Sequence, residues 1–390
     1  MSTETAIPAS KQLHGLDHLR ALAILMVLLY HYRMFGHPAW LDDVIHFGWS
    51  GVDLFFVLSG YLISSQLFVT MAQGKPVSFP EFFIKRFFRI IPPYLLILSI
   101  YFLVPAFWER ETLLPLWRYL TFTQNFGLNL KVFGTFSHVW SLCVEEHFYL
   151  LFPFALFLLI RTKRVQAGGW LLFAMFMAGF VIRLFCWYQL IAPHAGQDDA
   201  WMYWYMNMYY PTYTRLDGLL AGVAIAALFT FRPAIQVRIT QYGNAWLLAG
   251  LLVLTGAWYL CDTQSSFGAS IFGFPVVALG YGLLVIAAVS PSCILYRNNR
   301  ITAVIAKVSF VLYLSHKGVI HLVQPWLAKT GMAREGTLMM LLCVVIAIGV
   351  AWMIHLAVEQ PMLRLRKKVL ANRKAHRQPA VVPQMEWQDK

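Results

Sequence analysis

Residues 337–357 read TLMMLLCVVIAIGVAWMIHLA, a run without one formal charge. A helix rises about 1.5 Å per residue, so a run of this length crosses a hydrocarbon core of about 30 Å. Working outward, comparable apolar runs recur along the chain at approximately 19–36, 47–69, 87–108, 137–160, 169–191, 213–230, 244–260, 271–290 and 303–323. The pattern predicts an all-α, polytopic transmembrane helical bundle of about ten helices. Residues 109–136 are a candidate re-entrant or interfacial helix, and 369–390 read as a polar, disordered cytoplasmic tail.

Composition excludes the soluble alternative. Of 390 residues, 59% are hydrophobic and 13% charged, with mean hydropathy +0.60. Soluble domains carry roughly 25% charged residues. A β-barrel would show segments of about ten alternating residues instead. The net charge of +13 does not imply nucleic acid, because the basic residues sit in short loops and the tail. Loops 70–86, 161–168, 231–243 and 291–302 are richer in Lys and Arg than those between them, which predicts cytoplasmic N- and C-termini and an even number of spans. Met1 to Gln12 leads straight into the first span, so no cleavable signal is expected. Cys143, Cys186, Cys261, Cys293 and Cys343 show no metal-ligand spacing and read as packing residues. No metal is expected.

Charged residues within spans mark candidate sites because hydrocarbon penalises them. Arg20 and His31 lie eleven residues apart, on nearly one helical face and separated by about 16 Å. Asp53 enters the second span, where Gly48, Gly51 and Gly60 permit close helix packing. Arg86 and Arg89 share a face at i, i+3; membrane anchoring and phosphate binding both remain open for them. In FSHVWSLCVEEHFYLLFP (136–153), His138, Ser141 and Glu145 share a face, and Glu146 points about 100° away. Arg215 and Asp217 open the sixth span, and His316 lies in the ninth. Local contacts suffice for Glu359, and a carboxylate partner suffices for Arg183. The aromatic stretch WMYWYMNMYYPTY (201–213) reads as an interfacial belt or a sugar-stacking surface. Under the expected orientation, His31, Asp53, His138, Glu145, Glu146, Arg215 and Asp217 gather in the outer half, and Arg20, Lys85, Arg86 and Arg89 on the inner side. That division suits acid–base chemistry at one end and an anionic ligand at the other.

Seven segments in order resemble the membrane-bound acyltransferase-3 family. They are LDHLRALAILMVLLYH, GVDLFFVLSGYLIS, KRFFRI, FSHVWSLCVEEHFYLLFP, RLDGLLAG, VSFVLYLSHKG and VEQP, and the resemblance covers about residues 14–368 as one transmembrane domain. It implies an O-acyltransferase of the bacterial inner membrane. Such an enzyme moves an acyl group, most commonly acetyl, from cytosolic acyl-CoA to a hydroxyl of a carbohydrate, surface polysaccharide or glycolipid. Acyl-CoA is then a co-substrate, with no tightly bound cofactor. The resemblance makes His31 catalytic, matches Arg20 to it by spacing, and associates Arg86 and Arg89 with the donor, where Arg20 is also expected; the mechanism expected here has Glu145 or Glu146 orienting the imidazole. Asp53, His138, Arg215, Asp217 and His316 are left as substrate-binding or structural. His147 stands where the family commonly has glutamine. Relatives carrying an added esterase-like domain are longer, so a stand-alone form is expected. Membrane lipids are expected partners and nucleic acid is not; the oligomeric state is unset, a dimer being one option. The competing class is a proton-coupled secondary transporter, weakened by the lack of a visible internal repeat of broken helices.

Overall fold

Backbone amides find no water in hydrocarbon, so an apolar chain must satisfy them within each segment. This chain does so with helices. The computed structural model describes residues 14–375, so the final fifteen residues of the expected disordered tail lie outside them. In order, the helices are α1 (His14–Tyr32), α2 (Trp40–Ile45), α3 (Gly51–Ala72), α4 (Phe79–Leu103), α5 (Leu116–Leu120), α6 (Trp140–Arg161), α7 (Gly168–Cys186), α8 (Ala200–Trp204), α9 (Asp217–Phe231), α10 (Pro233–Thr240), α11 (Gly243–Leu260), α12 (Phe274–Ala288), α13 (Arg300–Ala328), α14 (Thr337–Ile354) and α15 (Gln360–Ala375). No strand occurs among the described residues.

Among the described residues, eight helical segments are long and apolar enough to cross a membrane. A ninth is added if α9 and α10, bent by 109°, count as one span. The sequence predicts about ten. The difference is α1, whose His14, Asp17, His18, Arg20 and His31 lower its hydropathy. It is nonetheless an interior helix, packed against α3, α12 and α13, and Leu22 is its one exposed residue. Residues 109–136 contain no re-entrant helix, only the single turn of α5. The expected tail is helical as far as Ala375, because α15 continues α14 through a wide turn at His355–Glu359. There His355 Nδ1 and Glu359 Oε2 lie 2.8 Å apart, the local contact expected of Glu359.

Small residues set the closest approach. A Cβ on Gly60 would stand 2.2 Å from the Leu219 carbonyl oxygen, and one on Gly222 would stand 2.2 Å from that of Val57. Only glycine lets the backbones of α3 and α9 meet this way.

Candidate active site: an arginine-lined cavity beside a histidine cluster

Helix α4 begins at Phe79, well before the expected 87, so Arg86 and Arg89 sit within a continuous helix and not ahead of it. Buried Phe82 and Ile90 anchor this part of α4 in the core. The two arginines line a cavity of about 150 Å³ with Arg20 of α1, Ser59 and Gln66 of α3, Glu145 of α6 and Tyr313 of α13. Arg20 donates to Asp17 Oδ1 at 3.0 Å. Arg86 lies over the Tyr149 ring, 5.2 Å from its centroid. Among the described residues, neither Arg86 nor Arg89 forms an ion pair. The apolar walls are Phe55, Leu58, Leu62, Leu142 and Phe310. A cavity with cationic and apolar walls suits a ligand that has an anionic head and a less polar arm.

Glu145 faces this same cavity. Its carboxylate accepts from Ser59 Oγ at 3.0 Å and Tyr149 Oη at 2.8 Å. Glu146 Oε1 is buried without a hydrogen-bond partner. Neither glutamate is hydrogen-bonded to His31, so the expected glutamate–histidine pair does not form. His147 turns elsewhere, its Nδ1 2.7 Å from Thr212 Oγ1.

His31 instead joins two other histidines. Its ring centroid lies 5.0 Å from that of His316 and 5.8 Å from that of His138, and those two are 5.0 Å apart. His31 ends α1, His138 sits in the turn before α6, and His316 lies midway along α13. His138 and His316 are buried; His31 is half-buried. His31 Nδ1 and His316 Nε2 are 2.9 Å apart. Among the described residues, no group of three or more His, Cys, Asp or Glu is arranged to hold a metal ion.

A buried ion pair supports the cluster, and sequence reasoning missed it. Lys317 Nζ donates to Glu109 Oε1 at 2.8 Å, with both side chains almost fully buried. The same oxygen accepts the Phe136 amide at 3.1 Å. Phe136 has φ +55°, a left-handed conformation rare for a bulky residue. Glu109 thus holds the turn that aims His138 at its neighbours. One signal was readable, namely Lys317 in mid-helix beside His316. Nothing in the sequence distinguishes Glu109 from its neighbours Arg110 and Glu111.

Tyr313 stands between cavity and cluster. It lines the cavity, and its ring centroid is 5.5 Å from that of His138. Its hydroxyl donates to the His138 carbonyl and accepts from Ser141 Oγ at 2.6 Å.

The remaining candidates form ion pairs away from the cluster. Arg215 Nη2 donates to both oxygens of Asp53, at 2.8 and 3.0 Å. Its guanidinium lies 4.1 Å from the Phe274 ring centroid and 4.5 Å from that of Tyr209. Arg183 donates to Asp217 Oδ2 at 2.7 Å, the carboxylate partner expected for it. These pairs join α3 to the segment before α9, and α7 to α9. In the aromatic stretch, Trp204, Tyr209 and Tyr210 are buried. They pack inward, and Trp201 and Tyr213, 42% and 39% exposed, are the large rings left open there.

Fold and site together define a multi-pass helical membrane protein whose interior joins an unpaired cationic cavity to a histidine cluster. The sequence model of the acyltransferase-3 family, described as an acyltransferase domain, matches residues 13–356; the chain belongs to that family. It is 28% identical over 328 residues to O-acetyltransferase OatA of Staphylococcus aureus strain NCTC 8325 / PS 47, covering 80% of this chain and 51% of that protein. The O-acetyltransferase OatA of Staphylococcus aureus strain COL is similar to the same extent. The chain therefore spans about half the length of these curated relatives. No solved structure matches it.

Proposed function

We propose that the chain is a membrane O-acyltransferase that moves an acetyl group from acyl-CoA to a hydroxyl of an envelope carbohydrate or glycolipid. One observation carries the reading. Unpaired Arg86 and Arg89 open onto a cavity that runs to Tyr313 and Ser141, directly behind which stand His31, His138 and His316. The acetyl group follows from the O-acetyltransferase relatives, and the carbohydrate acceptor from the family resemblance. The transporter reading loses ground to family membership.

The donor's phosphates would meet Arg86, Arg89 and Arg20, which offer bidentate donors to phosphate oxygens. The pantetheine arm would lie along the apolar walls and carry the thioester toward Tyr313. His31 acts as general base. An acceptor hydroxyl oxygen attacks the thioester carbonyl while its proton passes to the imidazole. The C–S bond then breaks, and the departing CoA thiolate takes that proton. The arginine end faces the cytosol and the histidine end the opposite side, in keeping with the basic loops.

The direct test uses purified protein, acetyl-CoA and the host's envelope glycan after mild-alkali removal of its esters. Acetyl-CoA-dependent ester formation with release of CoA is expected. His31→Ala should lower the rate by about 10²–10⁴-fold while the protein stays folded, the range for removal of a general base. A folded His31→Ala protein with full activity contradicts the assignment.

A further inference from the structure

A histidine base works only if the nitrogen facing the substrate is bare. Imidazole has two tautomers, and the partner of the other nitrogen selects between them. The local geometry makes that selection explicit. His316 Nδ1 lies 2.8 Å from the Tyr313 carbonyl oxygen and 3.1 Å from that of Leu312, both on its own helix. A carbonyl oxygen can only accept, so Nδ1 of His316 carries hydrogen. In the neutral ring Nε2 is then bare, and it is this nitrogen that lies 2.9 Å from His31 Nδ1. Two lone pairs at that distance would repel, so His31 Nδ1 carries hydrogen and donates. Both tautomers are assigned from these partners. Among the described residues, His31 Nε2 has no hydrogen-bond partner.

Resting on the acyltransferase reading, we infer that His316 is a positioning residue: its Nε2 accepts from His31 Nδ1–H and so leaves His31 Nε2 bare for the acceptor's proton. It fills the place that a carboxylate holds in a serine-protease triad, the place the sequence reading gave to Glu145 or Glu146. Glu145 is engaged with Ser59 and Tyr149, and Glu146 Oε1 is buried without a hydrogen-bond partner. His316 is well held for the task, being fully buried and fixed at Nδ1 by its own helix. During turnover, Nε2 of His31 gains the acceptor's proton and the ring becomes imidazolium, with Nδ1–H still donated to His316. The proton then leaves from Nε2 to the CoA thiolate, and His316 itself neither gains nor loses one.

Three substitutions separate positioning from packing. In His316→Gln the carboxamide reaches the former Nε2 position and its oxygen can accept from His31. In His316→Asn the carboxamide ends near the former Nδ1 position and falls short. His316→Phe fills the space without an acceptor. Measured with acetyl-CoA and the alkali-treated glycan, Asn and Phe should lower kcat by about 100-fold or more. KM for acetyl-CoA should stay within about threefold, and Gln should keep most of the activity that Asn and Phe lose. The inference is overturned if His316→Asn keeps wild-type kcat, or if Gln is as impaired as Asn. Histidine ¹⁵N NMR on the wild-type protein provides a check that needs no folded His316 variant, with the His31 signal identified by its loss in His31→Gln. Nδ1-protonated His31 is expected, and an Nε2-protonated ring overturns the proposal. A wild-type protein that never consumes acetyl-CoA refutes the acyltransferase reading instead, and the NMR result still judges the tautomer.

Discussion

An arginine held in a cavity wall without a carboxylate pays a desolvation cost that an arriving anion offsets. Arg86 and Arg89 share their cavity with Glu145 but make no ion-pair contact with it, whereas Arg20 is already tied to Asp17. Removing one charge-assisted contact costs about 1.5–3 kcal/mol, or about 10–100-fold in affinity. Arg89→Gln should therefore raise KM for acetyl-CoA by about 10-fold or more, with kcat changed much less. Steady-state kinetics check this, and an unchanged KM with a collapsed kcat would move Arg89 out of the donor site. At this scale the sequence was informative about residue types and poor on partners. A histidine or an arginine pair inside an apolar run declares itself through its cost. Its partner does not, because His31 and His316 stand far apart in sequence and meet only through the packing of α1 on α13. Glu145 and Glu146 looked like the natural partners of His31 by depth alone. Depth leaves the angle around the bundle undefined, and that angle turns Glu145 to Ser59 and Tyr149.

Between elements, the buried pairs do mechanical work. Arg215 and Asp53 tie the start of α9 to α3 where Gly60 and Gly222 already bring the two backbones together. Deleting one partner of a buried pair strands the other charge, at about 3–5 kcal/mol. Asp53→Leu and Arg215→Met should each lower thermal stability in detergent sharply. The double replacement should lose clearly less than the two single losses summed, because no charge is left stranded. Additive losses would show that the pair is not coupled. The sequence indicated that Asp53, Arg215 and Asp217 were unusual, and that α3 was small-faced. It did not reveal which cation paired with which anion, since Arg183 and Arg215 are equivalent by type. The start of α4 was likewise hidden, because its first turns, FPEFFIKR, are mixed in polarity and read as a loop.

For the whole molecule, hydropathy displayed nearly every long helix. α1, read from the sequence as the span at about 19–36, is the instructive marginal case. It runs through the interior carrying Arg20 at the cavity and His31 at the cluster, and those polar groups keep it below the hydropathy of a spanning segment. The helix that carries both Arg20 and His31 is thus a marginal membrane span by composition. The proposed orientation, donor and acceptor all rest on a polarity between the two ends of this bundle, so sidedness is where the proposal is most exposed. Sealed proteoliposomes containing the protein in one orientation, set by protease access to a tag after Lys390, test it directly. Acetyl-CoA is placed outside and de-O-acylated glycan is trapped within. The account predicts acetylated glycan in the lumen only when the tagged, arginine-bearing end faces the acetyl-CoA. Acetylation that proceeds equally in either orientation, or only with both substrates on one side, would contradict it.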